Sequence, residues 1–145
     1  MKLRKMKKER QYLLIDDDAT SNIICKLNIK KADPDAAVIS FNDPEDALLC
    51  IKEKCVSDDK RVCILFLDIN MPTMTGWEFL DKFQEFDPKV RNKFIVYILT
   101  SSIEDFSEEK KEYPDVADVL SKPITAGKLK KIVEHIDELE RKEAV

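Results

Sequence analysis

The sequence alternates five short apolar segments with five segments of helical periodicity, and this alternation constrains the fold more than any other feature. The apolar segments are rich in branched residues and have the length of buried strands. They span Tyr12–Ile15, Ala37–Phe41, Val62–Leu67, Phe94–Leu99 and Val116–Leu120. The helical segments span Ala19–Lys30, Pro44–Lys54, Gly76–Phe86, Glu104–Tyr113 and Ala126–Glu140. Strands joined by helical crossovers form a parallel sheet covered on both faces, so the sequence predicts a three-layer, doubly wound α/β domain.

Two scarce residue types exclude whole classes of function. A chain of 145 residues with 43% apolar residues suffices for one core. Its two glycines, Gly76 and Gly127, lie far apart, which excludes a phosphate-binding loop and a dinucleotide turn, because both need closely spaced glycines. The single histidine, His135, lies in a segment rich in lysine and glutamate, which argues against a catalytic triad or a multi-histidine metal site.

Charge is unevenly distributed along the chain. Residues 1–10 carry six basic residues against one acidic residue, a local charge of +5, so the remaining 135 residues sum to −9 for a total of −4. We therefore expect a solvated basic tail over 1–11, the domain over 12–140 and a short tail over 141–145. The acidic domain argues against direct nucleic-acid binding. No apolar signal-peptide segment follows the basic residues and no apolar run is long enough to span a bilayer, so we expect a cytoplasmic protein without membrane contact.

The four cysteines contain no C-x-x-C pair, which argues against a zinc site or thioredoxin-like redox chemistry. We expect reduced thiols without a function at Cys25, Cys50, Cys55 and Cys63.

Chemically capable side chains follow four of the five predicted strands. Asp16, Asp17 and Asp18 follow the first, Asp68 the third, Thr100 the fourth and Lys122 the fifth. In an open α/β sheet, ligands bind outside these carboxyl ends. Clustered carboxylates need a cation, and oxygen ligands without histidine or cysteine favour Mg²⁺. With a lysine and a hydroxyl they form the parts of a phosphoryl-transfer site, in which one carboxylate can become an aspartyl phosphate.

Each of these residues also has a structural explanation when it is taken alone. A run of aspartates before a helix is typical of an N-cap, and a lysine after a strand is usually solvated. Asp68 is harder to explain in this way, because it directly follows a fully apolar run. Their convergence at one edge of the predicted sheet favours the functional interpretation.

Four segments resemble the receiver domain of two-component response regulators, in order and in spacing. They are LLIDDD (13–18), LFLDINMPTMTGWEFL (65–80), VYILTSS (96–102) and VLSKPI (119–124), and the resemblance extends from Tyr12 to Leu139. It implies a flavodoxin-like (βα)5 fold whose five-stranded parallel sheet has the order 2-1-3-4-5.

The resemblance also implies roles for individual residues. Asp68 is expected to accept a phosphoryl group from a phosphohistidine, with Lys122 and Thr100 contacting that group. Mg²⁺ is expected to bind Asp16, Asp17, Asp68 and the backbone carbonyl of Asn70. One position departs from the family, because Val119 occupies the place where a switching tyrosine or phenylalanine commonly lies.

The implied function is signalling through protein contacts, with no enzymatic activity beyond the protein's own phosphorylation and dephosphorylation. The implied partners are a sensor histidine kinase or a histidine phosphotransfer protein, and a downstream protein. Only six residues follow Leu139, so we expect no attached output domain, and we expect a monomer or weak dimer.

Other functions remain as alternatives. A phosphorelay intermediate or phosphate sink has the same sequence signature as a stand-alone switch. A receiver-like binding module that is never phosphorylated is a further alternative, although every acidic, threonine and lysine position is filled. A phosphatase resembling haloacid dehalogenases is disfavoured, because Asn70 replaces the second aspartate that such enzymes use as a general acid.

Overall fold

The computed structural model describes residues 10–54 and 62–143 and contains one five-stranded parallel sheet with the order β2-β1-β3-β4-β5. The strands are β1 (Gln11–Ile15), β2 (Ala37–Phe41), β3 (Cys63–Asp68), β4 (Phe94–Thr100) and β5 (Val116–Ser121). The helices are α1 (Ala19–Ala32), α2 (Pro44–Lys54), α3 (Gly76–Phe83), α4 (Pro88–Arg91), α5 (Ser107–Lys111) and α6 (Ala126–Glu143). The predicted doubly wound fold and strand order are therefore confirmed.

Both faces of the sheet are buried, because alternate residues of the inner strands enter two separate cores. In β3, Leu65 and Leu67 join the core beneath α2 and α3, whereas Ile64 and Phe66 join the core beneath α1 and α6. All six residues of β3 are buried, as the continuous apolar run predicts for a central parallel strand. The sheet thus holds the carboxyl ends of β1, β3, β4 and β5 in a fixed register.

Helix α1 has a different orientation from the one its apolar residues indicate. Ile23, Ile24 and Leu27 supply the helical pattern in the sequence, yet their exposed fractions are 60%, 47% and 58%. The buried residues of this helix are Asn22, Cys25 and Ile29. The helix is as predicted, but three of its apolar side chains face solvent.

Two helical segments are shorter than predicted, whereas α1 and α6 extend two and three residues beyond their predicted ends, to Ala32 and Glu143. The segment predicted as Gly76–Phe86 ends at Phe83, and the short helix α4 follows it. Asp87 begins that short helix by accepting the Lys89 backbone N–H at 2.9 Å, with a proline at the first helical position. The segment predicted as Glu104–Tyr113 is helical only over Ser107–Lys111.

The predicted tails fall mostly outside the described residues, as does Cys55. Within the described part, Gln11 already belongs to β1, and the Arg10 side chain is buried. Among the helices that the structure describes, none combines the length and apolar character needed to cross a membrane.

Candidate functional site

The carboxyl edge of the sheet forms a cleft of about 550 Å³ that contains most of the predicted site residues. Asp16 follows β1, Asp68 ends β3 and Lys122 follows β5. Asp17 and Asn70 line the same cleft. The parallel topology therefore brings together residues that are up to 106 positions apart in the sequence.

The three consecutive aspartates have three different environments. Asp18 is the N-cap of α1, and its carboxylate accepts the backbone N–H groups of Thr20 and Ser21. Asp16 is buried, with 7% of its surface exposed, whereas Asp17 is exposed. The capping explanation therefore applies to Asp18 and leaves the other two carboxylates available to the cleft.

Lys122 connects the two buried carboxylates. Its Nζ donates to Oδ2 of Asp16 at 2.5 Å and lies 3.3 Å from Oδ1 of Asp68. The other oxygen of Asp16 accepts the backbone N–H of Asp18 at 2.9 Å. One cation thus compensates two carboxylates in a partly buried setting, where pairing offsets the cost of removing each charge from water.

Burial and the neighbouring charges shift the pKa values of Asp68 and Lys122. Burial raises the pKa of the Asp68 carboxyl, the charge of Lys122 opposes this, and the nearby Asp16 carboxylate raises the pKa further. The net pKa of Asp68 lies above its ordinary value. For Lys122, burial lowers the pKa, but the hydrogen bond to Asp16 and the charge of Asp68 outweigh it, so Lys122 stays protonated at neutral pH.

Gly76 holds the loop after Asp68 close against the end of β3. Its backbone N–H donates to the carbonyl of Ile69 at 2.8 Å. A Cβ atom at this position would lie 2.7 Å from the carbonyl oxygen of Asp68, which is closer than real contacts allow. Thr75 and Glu78 then start α3 with a reciprocal capping box. Glycine is therefore required here for close approach.

Thr100 ends β4 and is 3% exposed. Its hydroxyl oxygen accepts the backbone N–H of Ser102 at 3.0 Å, and its carbonyl accepts the backbone N–H of Lys122 at 2.8 Å. Ser101, rather than Thr100, lines the cleft. Thr100 thus lies at the correct edge of the sheet, with its hydroxyl engaged in the turn that follows β4.

The donor set fits a hard divalent cation. One carboxylate oxygen from each of Asp16, Asp17 and Asp68 lies within 4.8 Å of the others. Oxygen ligands without histidine or thiolate match the preference of Mg²⁺, which usually takes few protein carboxylates and keeps several waters.

Comparison with known proteins identifies the family. The sequence model of the response regulator receiver domain matches residues 12–134, most of the chain. The chain belongs to the response regulator receiver family. A search of curated proteins found no significant match.

Solved structures support the same assignment for this receiver domain. A two-component response regulator from Cytophaga hutchinsonii is 30% identical with a TM-score of 0.78, and the alignment covers 91% of this chain and 99% of that one. A receiver protein from Dyadobacter fermentans is 19% identical with a TM-score of 0.75, covering 87% and 96%. A CheY-like receiver domain from Methanospirillum hungatei is 22% identical with a TM-score of 0.69, covering 91% and 97%. The last two demonstrate the shared fold alone.

The receiver domain has an aromatic cluster near the position of the missing switch residue. Val119 is partly buried and packs against the core that contains Phe106 and Tyr113. Trp77 of α3 stacks on Tyr113 at 5.2 Å between ring centroids and contacts Phe106 at 5.8 Å. Aromatic rings thus connect α3 to both ends of α5, whereas β5 contributes two valines, Val116 and Val119, and no aromatic ring to this core.

Sequence reasoning missed Asn22. This residue is 5% exposed, and its side-chain amide donates to the carbonyl of Asp16 at 3.0 Å. The available signal was its spacing, because Asn22, Cys25 and Ile29 occupy positions i, i+3 and i+7 on one helix face. The apolar Ile23, Ile24 and Leu27 concealed that face.

Proposed function

We propose that this receiver domain is a phosphorylation-activated response regulator in which Asp68 accepts a phosphoryl group from a phosphohistidine. The observation that carries the proposal is the bridging position of Lys122, which lines the cleft and contacts both Asp68 and Asp16. A lysine held in this way can neutralise an anionic group that arrives on Asp68. Family membership supports the same conclusion.

The proposed reaction is a displacement at phosphorus. A carboxylate oxygen of Asp68 forms a bond to phosphorus while the P–N bond of the phosphohistidine breaks. The electron pair of that bond stays on the ring nitrogen, and the donor leaves as neutral imidazole when its other ring nitrogen carries a proton. The product is an acyl phosphate, which water later hydrolyses to restore the carboxylate.

Neighbouring residues can neutralise the negative charge of the phosphoryl group on Asp68 and donate a hydrogen bond to it. Lys122 already lies 3.3 Å from Asp68 and remains protonated, so it can move from the carboxylates towards the phosphoryl oxygens. Asp16, Asp17, Asp68 and the carbonyl of Asn70 would hold Mg²⁺, which when bound neutralises phosphoryl oxygens. Thr100 would exchange its present partner, the N–H of Ser102, for the phosphoryl group by donating its hydroxyl.

The exposed apolar face of α1 gives the phosphodonor a docking surface. Ile23, Ile24 and Leu27 are exposed, and Ile24 also lines the cleft that contains Asp68. A donor protein must bring its histidine to this cleft, and the position of Ile24 in the cleft lining supports contact with α1. The donor is a sensor histidine kinase or a histidine phosphotransfer protein, and the reaction takes place in the cytoplasm.

Output is proposed to pass through the surface formed by α5, β5 and α6 to a downstream protein. The loop after Thr100 leads directly into α5, and Lys122 follows β5. A change in the partners of Thr100 and Lys122 therefore reaches this surface through the backbone. We propose that the protein acts as a monomer or weak dimer in this step.

The test is intact-mass spectrometry after incubation with Mg²⁺ and acetyl phosphate. Wild-type protein should gain one phosphoryl group, and Asp68→Asn should gain none. The matched control is Asp43→Asn, because Asp43 also follows a strand and asparagine can still cap α2. Phosphorylation of Asp68→Asn, or a folded wild type that gains no mass with either acetyl phosphate or phosphoramidate, would contradict the proposal and favour a phosphorylation-independent binding module.

The docking surface is tested separately. Leu27→Glu should slow transfer from a phosphorylated histidine phosphotransfer protein and leave phosphorylation by acetyl phosphate unchanged, since only the protein donor contacts α1. Leu49→Glu is the control, because Leu49 is 53% exposed on α2. Equal rates of protein-dependent transfer in both variants would exclude α1 as the donor surface.

A further inference from the structure

Asn22 is a buried polar residue beside the carboxylate cluster. The proposed reaction does not use this side chain. It lies in the first turns of α1 and is 5% exposed. A buried amide without partners costs about 1–3 kcal/mol, so such a residue needs compensating hydrogen bonds. Its contacts therefore indicate what the residue is for.

The side-chain nitrogen of Asn22 joins the ends of two strands. It donates to the carbonyl of Asp16 at 3.0 Å, to the carbonyl of Phe41 at 3.3 Å and to Oδ1 of Asn42 at 2.9 Å. Three oxygens surround this nitrogen, so the orientation of the amide is determined by its acceptors. The same strand ends are also joined by the Asp16 backbone N–H, which donates to the carbonyl of Phe41 at 3.1 Å.

These bonds hold Asp16 on both sides of its Cα atom. The backbone N–H binds Phe41 and the backbone carbonyl binds Asn22, while the carboxylate binds the Asp18 N–H and Lys122. With both peptide groups held, the Asp16 carboxylate has a defined position relative to Asp17 and Asp68. Without the amide of Asn22, the peptide that follows Asp16 can rotate, and the carboxylate moves with it.

We propose that Asn22 is a positioning residue that sets the metal affinity of the site through the backbone of Asp16. The inference rests on the proposed function and extends it to a residue that touches neither the metal nor the phosphoryl group. Partners that orient metal ligands typically change metal affinity by about 10–100-fold when they are removed. A residue that only stabilised the fold would not alter affinity in this selective way.

The experiment measures cation binding to the unphosphorylated protein by isothermal titration with Mg²⁺ and by Mn²⁺ electron paramagnetic resonance. Asn22→Ala should weaken binding about tenfold. It should also raise the Mg²⁺ concentration that gives half-maximal phosphorylation by acetyl phosphate, while the rate at saturating Mg²⁺ stays close to that of wild type. Asn28→Ala is the matched control, because Asn28 lies on the same helix and its amide also donates to a backbone carbonyl, that of Ile124.

A second variant protects the test against loss of folding. Asn42 is exposed and accepts from the Asn22 amide, so Asn42→Ala should weaken binding in the same direction with little effect on stability. If wild type binds Mg²⁺ and is phosphorylated but Asn22→Ala and Asn42→Ala bind the ion as tightly as Asn28→Ala, the positioning role is wrong. A wild type that neither binds the ion nor accepts phosphate would overturn the proposed function and this inference with it.

Discussion

At the scale of single residues, the site pairs one lysine, Lys122, with two buried carboxylates. Asp16 and Asp68 are buried carboxylates that share one lysine, and the pKa of Asp68 is raised mainly because of burial. A nucleophilic carboxylate must be ionised, and Lys122 opposes the effect of burial by favouring that form. The same lysine is therefore expected to support Asp68 before phosphorylation and the phosphoryl group afterwards.

Lys122→Ala should raise the pKa of Asp68 further, because it removes the cation that favours the carboxylate. A carboxyl whose pKa is higher in the folded state contributes stability at low pH that is lost as the pH rises through that folded pKa. The variant should therefore lose unfolding free energy between the ordinary carboxyl pKa and neutral pH, by about 1–3 kcal/mol. Carbon-13 NMR titration of Asp68 without Mg²⁺ and urea unfolding at several pH values measure both effects.

The exposed ion pair between Lys82 and Glu45 is the control for this prediction, since exposed ion pairs contribute little to the free energy of unfolding. Lys82→Ala should leave the pKa of Asp68 unchanged. An unchanged titration of Asp68 in Lys122→Ala would show that the lysine does not govern the ionisation of that carboxyl.

At the scale of secondary-structure elements, close contacts with the backbone determine whether a glycine can be replaced by a residue with a side chain. Gly76 begins α3 against the carbonyl of Asp68, whereas Gly127 lies in the first turn of α6, where a Cβ atom would meet no other atom within 4 Å. The two glycines of the chain therefore have opposite roles, one required for close approach and the other replaceable.

Gly76→Ala should lower the unfolding free energy by about 1–3 kcal/mol and slow phosphorylation, because a Cβ atom would displace the end of β3 that carries Asp68. Gly127→Ala should raise the unfolding free energy by about 0.5 kcal/mol through its higher helix propensity. Urea unfolding and the rate of mass gain with acetyl phosphate measure both. Similar stabilities of the two variants would contradict the contact at Gly76.

The aromatic cluster predicts a spectroscopic signal of activation. Trp77 is the single tryptophan, and its ring contacts Phe106, which lies in the segment between Thr100 and α5. If Thr100 moves on phosphorylation, Phe106 moves relative to Trp77, and the emission of Trp77 should change. The change should be absent in Asp68→Asn and smaller in Phe106→Leu, which is expected to cost about 1 kcal/mol of stability. An identical Trp77 emission spectrum before and after complete phosphorylation would exclude the proposed movement of Phe106 relative to Trp77.

At the scale of the whole molecule, the amino end of the sheet is held by an ion-pair cluster far from the site. Arg10 precedes β1 and is 8% exposed. Its guanidinium donates to Glu140 at 2.8 Å, to Asp33 at 3.2 Å and to Asp137. These contacts join the strand that leads to Asp16 with the ends of α1 and α6. They also show that Arg10 belongs to the folded domain.

Arg10→Ala should lower the unfolding free energy by about 3 kcal/mol, because it leaves three acidic residues without their common partner. The rate of phosphorylation by acetyl phosphate should stay within about twofold of wild type, since Arg10 lies at the opposite end of β1 from Asp16. Arg141→Ala, an exposed position on α6, should change the stability by less than about 0.5 kcal/mol. A loss of phosphorylation as large as the loss of stability would indicate coupling between the two ends of the sheet.

The sequence predicts the five strands and the helical segments that alternate with them, because the periodicity of apolar residues is a local property of each segment. It also placed Asp16, Asp68, Thr100 and Lys122 at one edge, since parallel strands end at the same side of a sheet. It does not predict the short helix α4. The bounds of α2 and β2 agree with the prediction to the residue.

Which faces of the helices and strands are covered depends on how the elements pack against one another. Two faces of α1 have helical spacing, and the sequence pattern does not decide which of them packs on the sheet, so the exposure of Ile23 and Leu27 and the burial of Asn22 depend on how α1 is anchored. In β5, an irregularity in register after Val116 turns Val119 towards the same core as Val116, although residues three apart normally face opposite sides of a strand. Burial is a property of the neighbours that cover a side chain, so it is determined when the elements pack together.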